Sequence, residues 1–128
     1  MDESKARTNN TNIFGEYCLV KTRAEVKRLL LANILFIEQS GRKLYFHTVH
    51  DVKDIVMYEK LSYAIPYLND NFIVVGKAAL NASHIHSVSA GGAVRFFNGS
   101  VYNLSAKQCG SFRREYVRLS EERRKKVL

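Results

Sequence analysis

The chain has 128 residues, the length of a single domain, and its 46% hydrophobic composition is enough to build a core without disulfides or metals. Its 20 Lys and Arg against 12 Asp and Glu give a net charge of +8, which favours an acidic partner, nucleic acid before anionic lipid. The composition argues against intrinsic disorder, and no wholly apolar run is longer than four residues, as from Leu29 to Ala32, where a membrane span needs about 20.

The two cysteines indicate a reducing compartment. Cys18 and Cys109 lie 91 positions apart with no secretory leader in front of them, a pattern that argues against a disulfide framework. We therefore expect a cytoplasmic protein that is neither secreted nor inserted in a membrane.

The first half of the chain predicts two hairpins and a short helix. Residues 1–15 are polar and charged, and we expect them to form a flexible lead-in. Alternating apolar and polar residues then predict five strands: Tyr17 to Thr22, Glu25 to Leu30, Ile34 to Glu38, Lys43 to Thr48 and Val52 to Tyr58. Helical spacing from Glu59 to Leu68 predicts a helix. Because Pro66 removes a helical hydrogen bond, we expect this helix to be short, to be kinked or to start later than Glu59.

The second half predicts further short strands and a terminal helix, which brings the count to about nine strands. The strands are expected at Phe72 to Val75, Ile85 to Val88, Ala93 to Phe97 and Val101 to Leu104, with a small apolar run from Ala78 to Leu80. Asn98-Gly99 predicts a tight hairpin turn, because both residues tolerate a positive φ. Phe112, Tyr116 and Leu119, at spacings of four and three, predict a helix from about Ala106 to Lys126.

The positive charge is concentrated at the end of the chain. From Arg113 to Leu128 there are seven basic and three acidic residues, so this segment carries +4, half of the net charge. We expect residues 120–128 to be a basic helix end or tail that adds phosphate contacts without reading bases.

Neither the histidines nor the possible nucleophilic residues form a convincing metal or catalytic site in the sequence. His84 and His86 alternate along a predicted strand, and with His47 or His50 they could gather round a metal. No cysteine or carboxylate stands beside them at ligand spacing, so a histidine pair on a wet strand face is the favoured interpretation. Cys18, Cys109 and Ser105 lack the sequence context of an activated nucleophile. We expect no catalysis, no metal and no cofactor.

Basic residues beside the predicted turns are better candidates for function, since loops on a rigid sheet present groups to partners. Arg42 and Lys43 adjoin the Ser-Gly turn, Lys77 follows Gly76, and Lys107 with Gln108 precedes the terminal helix. Lysine and arginine contact phosphates, while arginine and glutamine also read guanine and adenine edges. For any one of these residues taken singly, a solubilising surface charge is the favoured interpretation, and only the fold context favours a role in binding.

The order and spacing of several segments resemble the LytTR DNA-binding domain of bacterial transcription regulators. One segment is NILFIEQSGRKLYFHT, from Asn33 to Thr48, and the other runs from Asn69 to Gln108 through Leu80-Asn81 and Asn98-Gly99. The resemblance spans roughly Glu16 to Leu119. It implies a mainly β fold: a compact antiparallel arrangement of several small sheets, with one short middle helix and a C-terminal helix.

The family contacts DNA from three loops, which the resemblance places at Ser40 to Lys43, Val75 to Lys77 and Ser105 to Gln108. The middle loop departs from the family pattern, because Ile73, Val75 and Gly76 stand where arginine, histidine and a polar residue are usual. Asn81 matches the family, and we interpret it as a structural residue that satisfies backbone groups in a turn.

These observations predict a sequence-specific, double-stranded DNA-binding transcriptional regulator that contacts the major groove through loops. Residues 16–119 would form the binding domain, with a possible homodimer on repeated half-sites. The DNA-facing residues would be Arg42, Lys43, Lys77, Lys107 and Gln108. The alternative is a protein-interaction module or antagonist, derived from such a domain, that has lost base-specific reading.

Overall fold

The computed structural model describes the backbone of residues 16–127 and the side chains of residues 16–122. The lead-in predicted for residues 1–15 lies outside the described residues. In the described part, all strand pairs are antiparallel and form three separate sheets of two, five and three strands. This confirms the predicted mainly β fold of small sheets with a short middle helix and a terminal helix.

The first sheet is a hairpin of β1 (Tyr17–Lys21) and β2 (Val26–Leu30). Its turn is closed by Thr22, whose Oγ1 accepts from Glu25 N at 3.2 Å. Alternate residues such as Cys18, Val20 and Leu29 are buried, as the period of two along a strand requires when only one face packs on the core.

The second sheet has the strand order β5, β4, β3, β7, β6. Its strands are β3 (Ile34–Ser40), β4 (Lys43–Thr48), β5 (Ile55–Met57), β6 (Phe72–Val75) and β7 (Ala78–Asn81). The strand predicted at Val52 to Tyr58 is therefore shorter than expected. Thr48 Oγ1 donates to Asp51 Oδ2 at 2.8 Å and accepts from Asp51 N at 3.2 Å, which holds the preceding residues in a turn.

The middle helix is short, as Pro66 predicted. Helix α1 (Leu61–Ala64) passes into a single 3₁₀ turn, Ile65–Tyr67, with the proline inside it. Two further 3₁₀ turns, Leu31–Asn33 and Ala82–His84, lead into β3 and β8.

The third sheet contains β8 (Ile85–Val88), β9 (Ala93–Phe96) and β10 (Val101–Asn103), and helix α2 (Ala106–Val127) follows it. The β9–β10 hairpin has a different turn from the one predicted at Asn98-Gly99, because Gly99 has φ +95° whereas Asn98 does not have a positive φ. Gly99 N donates to Phe96 O at 2.9 Å. This is a type I turn followed by a left-handed glycine, which needs only one residue with positive φ.

The five-stranded sheet is the middle layer between two hydrophobic cores. On one face, Ile37 and Phe46 pack with the β1–β2 hairpin and α1. On the other face, Phe36 and Leu80 pack with the three-stranded sheet and with Phe112 of α2. Because a core packs on each face of this sheet, its strands are held in fixed positions. The turns at the ends of these strands are therefore fixed as well. No helix within residues 16–127 is long and apolar enough to cross a membrane.

Candidate nucleic-acid interface

The first candidate loop is a two-residue turn between β3 and β4. Gly41 has φ +60°, a conformation that glycine adopts without steric cost, and it is followed by the exposed Arg42. The Arg42 side chain makes no hydrogen bond or ion pair with any residue that the structure describes. Lys43 is half-buried, with its Nζ 5.4 Å from the ring centroid of Tyr58.

Gln39 orients this turn, a role that the sequence did not reveal. Its Nε2 donates to Gly41 O at 3.1 Å, and its Oε1 accepts from Leu61 N at 2.9 Å. Its backbone N donates to Lys77 O at 2.9 Å. One glutamine therefore connects the turn that carries Arg42, the start of α1 and the β6–β7 turn.

The second candidate loop is the β6–β7 turn, where Gly76 has φ +56° and Lys77 is exposed. Ile73 is buried in the second core, so its side chain is unavailable to a partner. A Cβ at Gly76 would lie only 2.7 Å from Nε2 of Gln108. The missing side chain therefore lets the start of α2 approach this turn closely.

The third candidate loop is the start of α2, where Ser105 and Gln108 form a capping box. Gln108 N donates to Ser105 Oγ at 3.2 Å, and Ser105 N donates to Gln108 Oε1 at 3.0 Å. These bonds satisfy two backbone donors at the helix start. The S-x-x-Q spacing is the sequence signal for this motif. Lys107 is exposed beside it.

The three loops lie side by side. The first two are joined by the bond from Gln39 N to Lys77 O, and the last two by the approach of Gln108 to Gly76. The side chains of Arg42, Lys77 and Lys107 are exposed and make no hydrogen bond or ion pair with the described residues. We call this arrangement the loop row: the β3–β4 turn, the β6–β7 turn and the start of α2.

The described part of α2 holds one of its arginines in internal ion pairs. Arg118 Nη2 lies 2.6 Å from Glu115 Oε2, and Nη1 lies 2.6 Å from Glu122 Oε1. The hydrogen bond from Arg118 lowers the pKa of the Glu115 carboxyl, and the same bond raises the pKa of Arg118. Arg118 is thus matched by two carboxylates, unlike the exposed Arg113 and Arg114.

The histidines have separate partners. His84 lies in a 3₁₀ turn rather than on a strand, contrary to the prediction, with Nε2 2.6 Å from Ala32 O. His47 stacks on Phe36 and lies between Glu38 Oε1 at 3.0 Å and Asp54 Oδ1 at 2.8 Å. Across the described residues, no group of three or more His, Cys, Asp or Glu side chains is placed to hold a metal ion. The His47 contacts stabilise the β3–β4 hairpin that carries Arg42.

The cysteines are also structural within the described chain. Both are buried and free. Burial raises the pKa of the Cys18 thiol to about 12, so the group stays protonated at neutral pH and is a poor nucleophile. Cys109 Sγ lies 3.7 Å from Ala90 O, beside the β8–β9 turn.

No family model matches the chain, and no curated protein matches it. Among solved structures, the chain is similar to the LytTr DNA-binding domain of a Bacillus cereus protein, with a TM-score of 0.64. The two are 16% identical, and the match covers 78% of this chain and 95% of that chain. The chain therefore has the LytTR-type fold that the sequence resemblance implied.

Proposed function

We propose that this chain, which has a LytTR-type fold, is a sequence-specific, double-stranded DNA-binding transcriptional regulator that contacts the major groove through the loop row. The observation that carries the proposal is the adjacency of three turns that present Arg42, Lys77 and Lys107 to solvent without partners among the described residues. A chromosomal duplex as partner places the protein in the cytoplasm, and the proposal involves no catalytic step.

The residues of the loop row have different roles in this proposal. Arg42 and Lys107 extend from turns and are free to reach base edges or phosphates. Lys77 has the exposed Val74 and half-buried Val75 nearby, so few neighbouring polar side chains would orient its ammonium group against a base. Lys43 is held by Tyr58 and Gln108 by Ser105, so both support the loops and contact DNA from fixed positions.

The experiment that tests this proposal is duplex binding as a function of salt. Each phosphate that the protein neutralises lowers the slope of log K against log salt by about 0.9, so five or six contacts give a slope near −5. Fluorescence polarisation with a labelled duplex measures it. An affinity that stays constant between low and physiological salt would contradict phosphate contact.

The basic end of α2 is expected to add affinity without specificity. Deleting residues 120–128 removes four basic and two acidic side chains, a net loss of two positive charges, and leaves the buried Leu119 in place. Binding to preferred and random duplexes should weaken by similar factors, because phosphate contacts carry no direct sequence information. A deletion that removed only the preference between duplexes would show that this segment reads bases.

The second candidate function is a protein-interaction module or antagonist. The exposed Val74 on the edge strand β6, at 52% relative accessibility, favours it, because an apolar side chain beside the middle loop suits a protein partner better than a base. This candidate predicts no measurable duplex binding at low salt and a stable complex with a second regulator in size-exclusion chromatography.

A further inference from the structure

A basic and aromatic groove lies at the β5 edge of the five-stranded sheet, next to the loop row, with which it shares Lys43. It has a volume of about 700 Å³ and is formed where the β1–β2 turn approaches the end of β5. Lys21, Arg23 and Lys43 contribute its cations, Tyr45 and Tyr58 contribute its rings, and Glu59 contributes one carboxylate, so the lining carries a net positive charge. We call it the basic groove.

The cations of the basic groove are not neutralised by the described residues. Lys21, Arg23 and Lys43 make no salt bridge with the described residues. By contrast, Nζ of Lys27, on the β1–β2 hairpin, lies 3.6 Å from Glu25 Oε2. Lys21 Nζ is 5.2 Å from the Tyr63 ring centroid, and Lys43 Nζ is 5.4 Å from that of Tyr58. A contact with an aromatic face positions an ammonium group and leaves its charge available to an anion.

The register of the sheet places the basic groove next to the loop row. Met57 pairs with Leu44, so Tyr58, which follows Met57, lies at the same end of the sheet as the β3–β4 turn. The β6–β7 turn lies at this end too, because Val75 pairs with Ala78 and Glu38 pairs with Ala78. The row of cations therefore continues past Arg42 and Lys43 to the β1–β2 turn.

The length of this row of cations is compatible with contact to a single DNA duplex. From β6 to β5 the sheet has four inter-strand steps, which at about 4.8 Å each span about 19 Å. The start of α2 adjoins the β6–β7 turn from one face of the sheet, and the β1–β2 turn adjoins the end of β5 from the other face. If a duplex lies along the loop row with its major groove facing the loops, the DNA phosphate backbone that flanks the major groove faces the basic groove of the protein.

We infer that the basic groove binds the phosphate backbone of the same DNA duplex, in the segment that flanks the base pairs facing Arg42. The inference rests on the proposed function. Lysine, arginine and tyrosine are all common phosphate donors, and Lys21, Arg23 and Tyr58 bring these groups together in the groove. The groove adds affinity for any sequence and extends the footprint on one side.

The test compares two double variants of the β1–β2 hairpin. Lys21→Ala with Arg23→Ala removes two groove cations, and Lys27→Ala with Arg28→Ala removes the same charge outside the groove lining. The groove variant should make the slope of log K against log salt shallower by about 1.8, equally for preferred and random duplexes. The control variant should change it much less, and thermal melts check that both remain folded.

Two results would overturn the inference while leaving the proposed function intact. One is a groove variant with the same salt slope as the control, although the parent chain binds the duplex. The other is polyglutamate binding that the groove variant loses while its duplex binding is unchanged, which would assign the groove to an acidic protein segment. A parent chain that binds no duplex at any salt concentration contradicts the proposed function itself.

Discussion

Replacing Asn81 with alanine is expected to lower the free energy of unfolding by about 3 kcal/mol. The Asn81 side chain is 2% exposed, and its Nδ2 donates to Leu31 O at 3.2 Å and to Ile34 O at 2.9 Å. Its Oδ1 accepts from Ser83 N at 3.0 Å. Alanine removes all three bonds of an almost fully buried side chain. Denaturant unfolding of the parent and the variant measures the loss.

The control for this substitution is Asn103→Ala. Asn103 is exposed on β10 and its side chain makes no hydrogen bond with the described residues, so its loss should cost no more than about 0.5 kcal/mol. Equal losses for the two variants would contradict the structural role of Asn81. The structure confirms the interpretation of Asn81 as a residue that satisfies backbone groups.

Replacing Arg42 or Lys107 with alanine should weaken binding to the preferred duplex by about 1 to 3 kcal/mol and to random duplex by much less. Arg42 lies in the β3–β4 turn and Lys107 in the first turn of helix α2, and neither side chain has a partner among the described residues, so the thermal midpoint should stay nearly unchanged. Preference should relax at one base pair for each variant. Normal folding together with undiminished binding in both variants would remove the loop row from the interface.

Lys77→Ala provides the contrast within the loop row. With Ile73 buried and Val74 and Val75 beside it, Lys77 is expected to contact phosphate alone. Its loss should weaken binding to all sequences alike and make the salt slope shallower by about 0.9. A sequence-dependent loss at Lys77 would show that the middle loop reads bases despite its departure from the family pattern.

The strands and the terminal helix were predictable because their signals are local. Alternation along β1 and β4, the Ser-Gly turn before Arg42 and the spacing of Phe112, Tyr116 and Leu119 each act within a few residues. The differences come from competing contacts. The strand predicted from Val52 starts at Ile55 because Thr48 and Asp51 form a turn before it.

The contacts that position the candidate loops were less predictable, because they join residues that are far apart in the sequence. Gln39 acts through Leu61, which is 22 positions away, and through Lys77. The basic groove needs the β1–β2 turn beside Lys43, a proximity that no local pattern indicates. The capping box is a local signal by contrast, because Ser105 is only three positions from Gln108 and the S-x-x-Q spacing indicates it. The five DNA-facing residues stay a prediction.

The most direct test of the central claim is selection from a pool of randomised duplexes. The parent chain is compared with the triple variant Arg42→Ala, Lys77→Ala, Lys107→Ala, and with an equally charged control, Lys53→Ala, Lys60→Ala, Arg95→Ala, whose residues are also exposed. The account predicts that the parent and the control enrich the same sequence motif, and that the triple variant binds it about tenfold or more weakly. Enrichment of the same motif by the triple variant, or of none by the parent, would contradict sequence reading by the loop row.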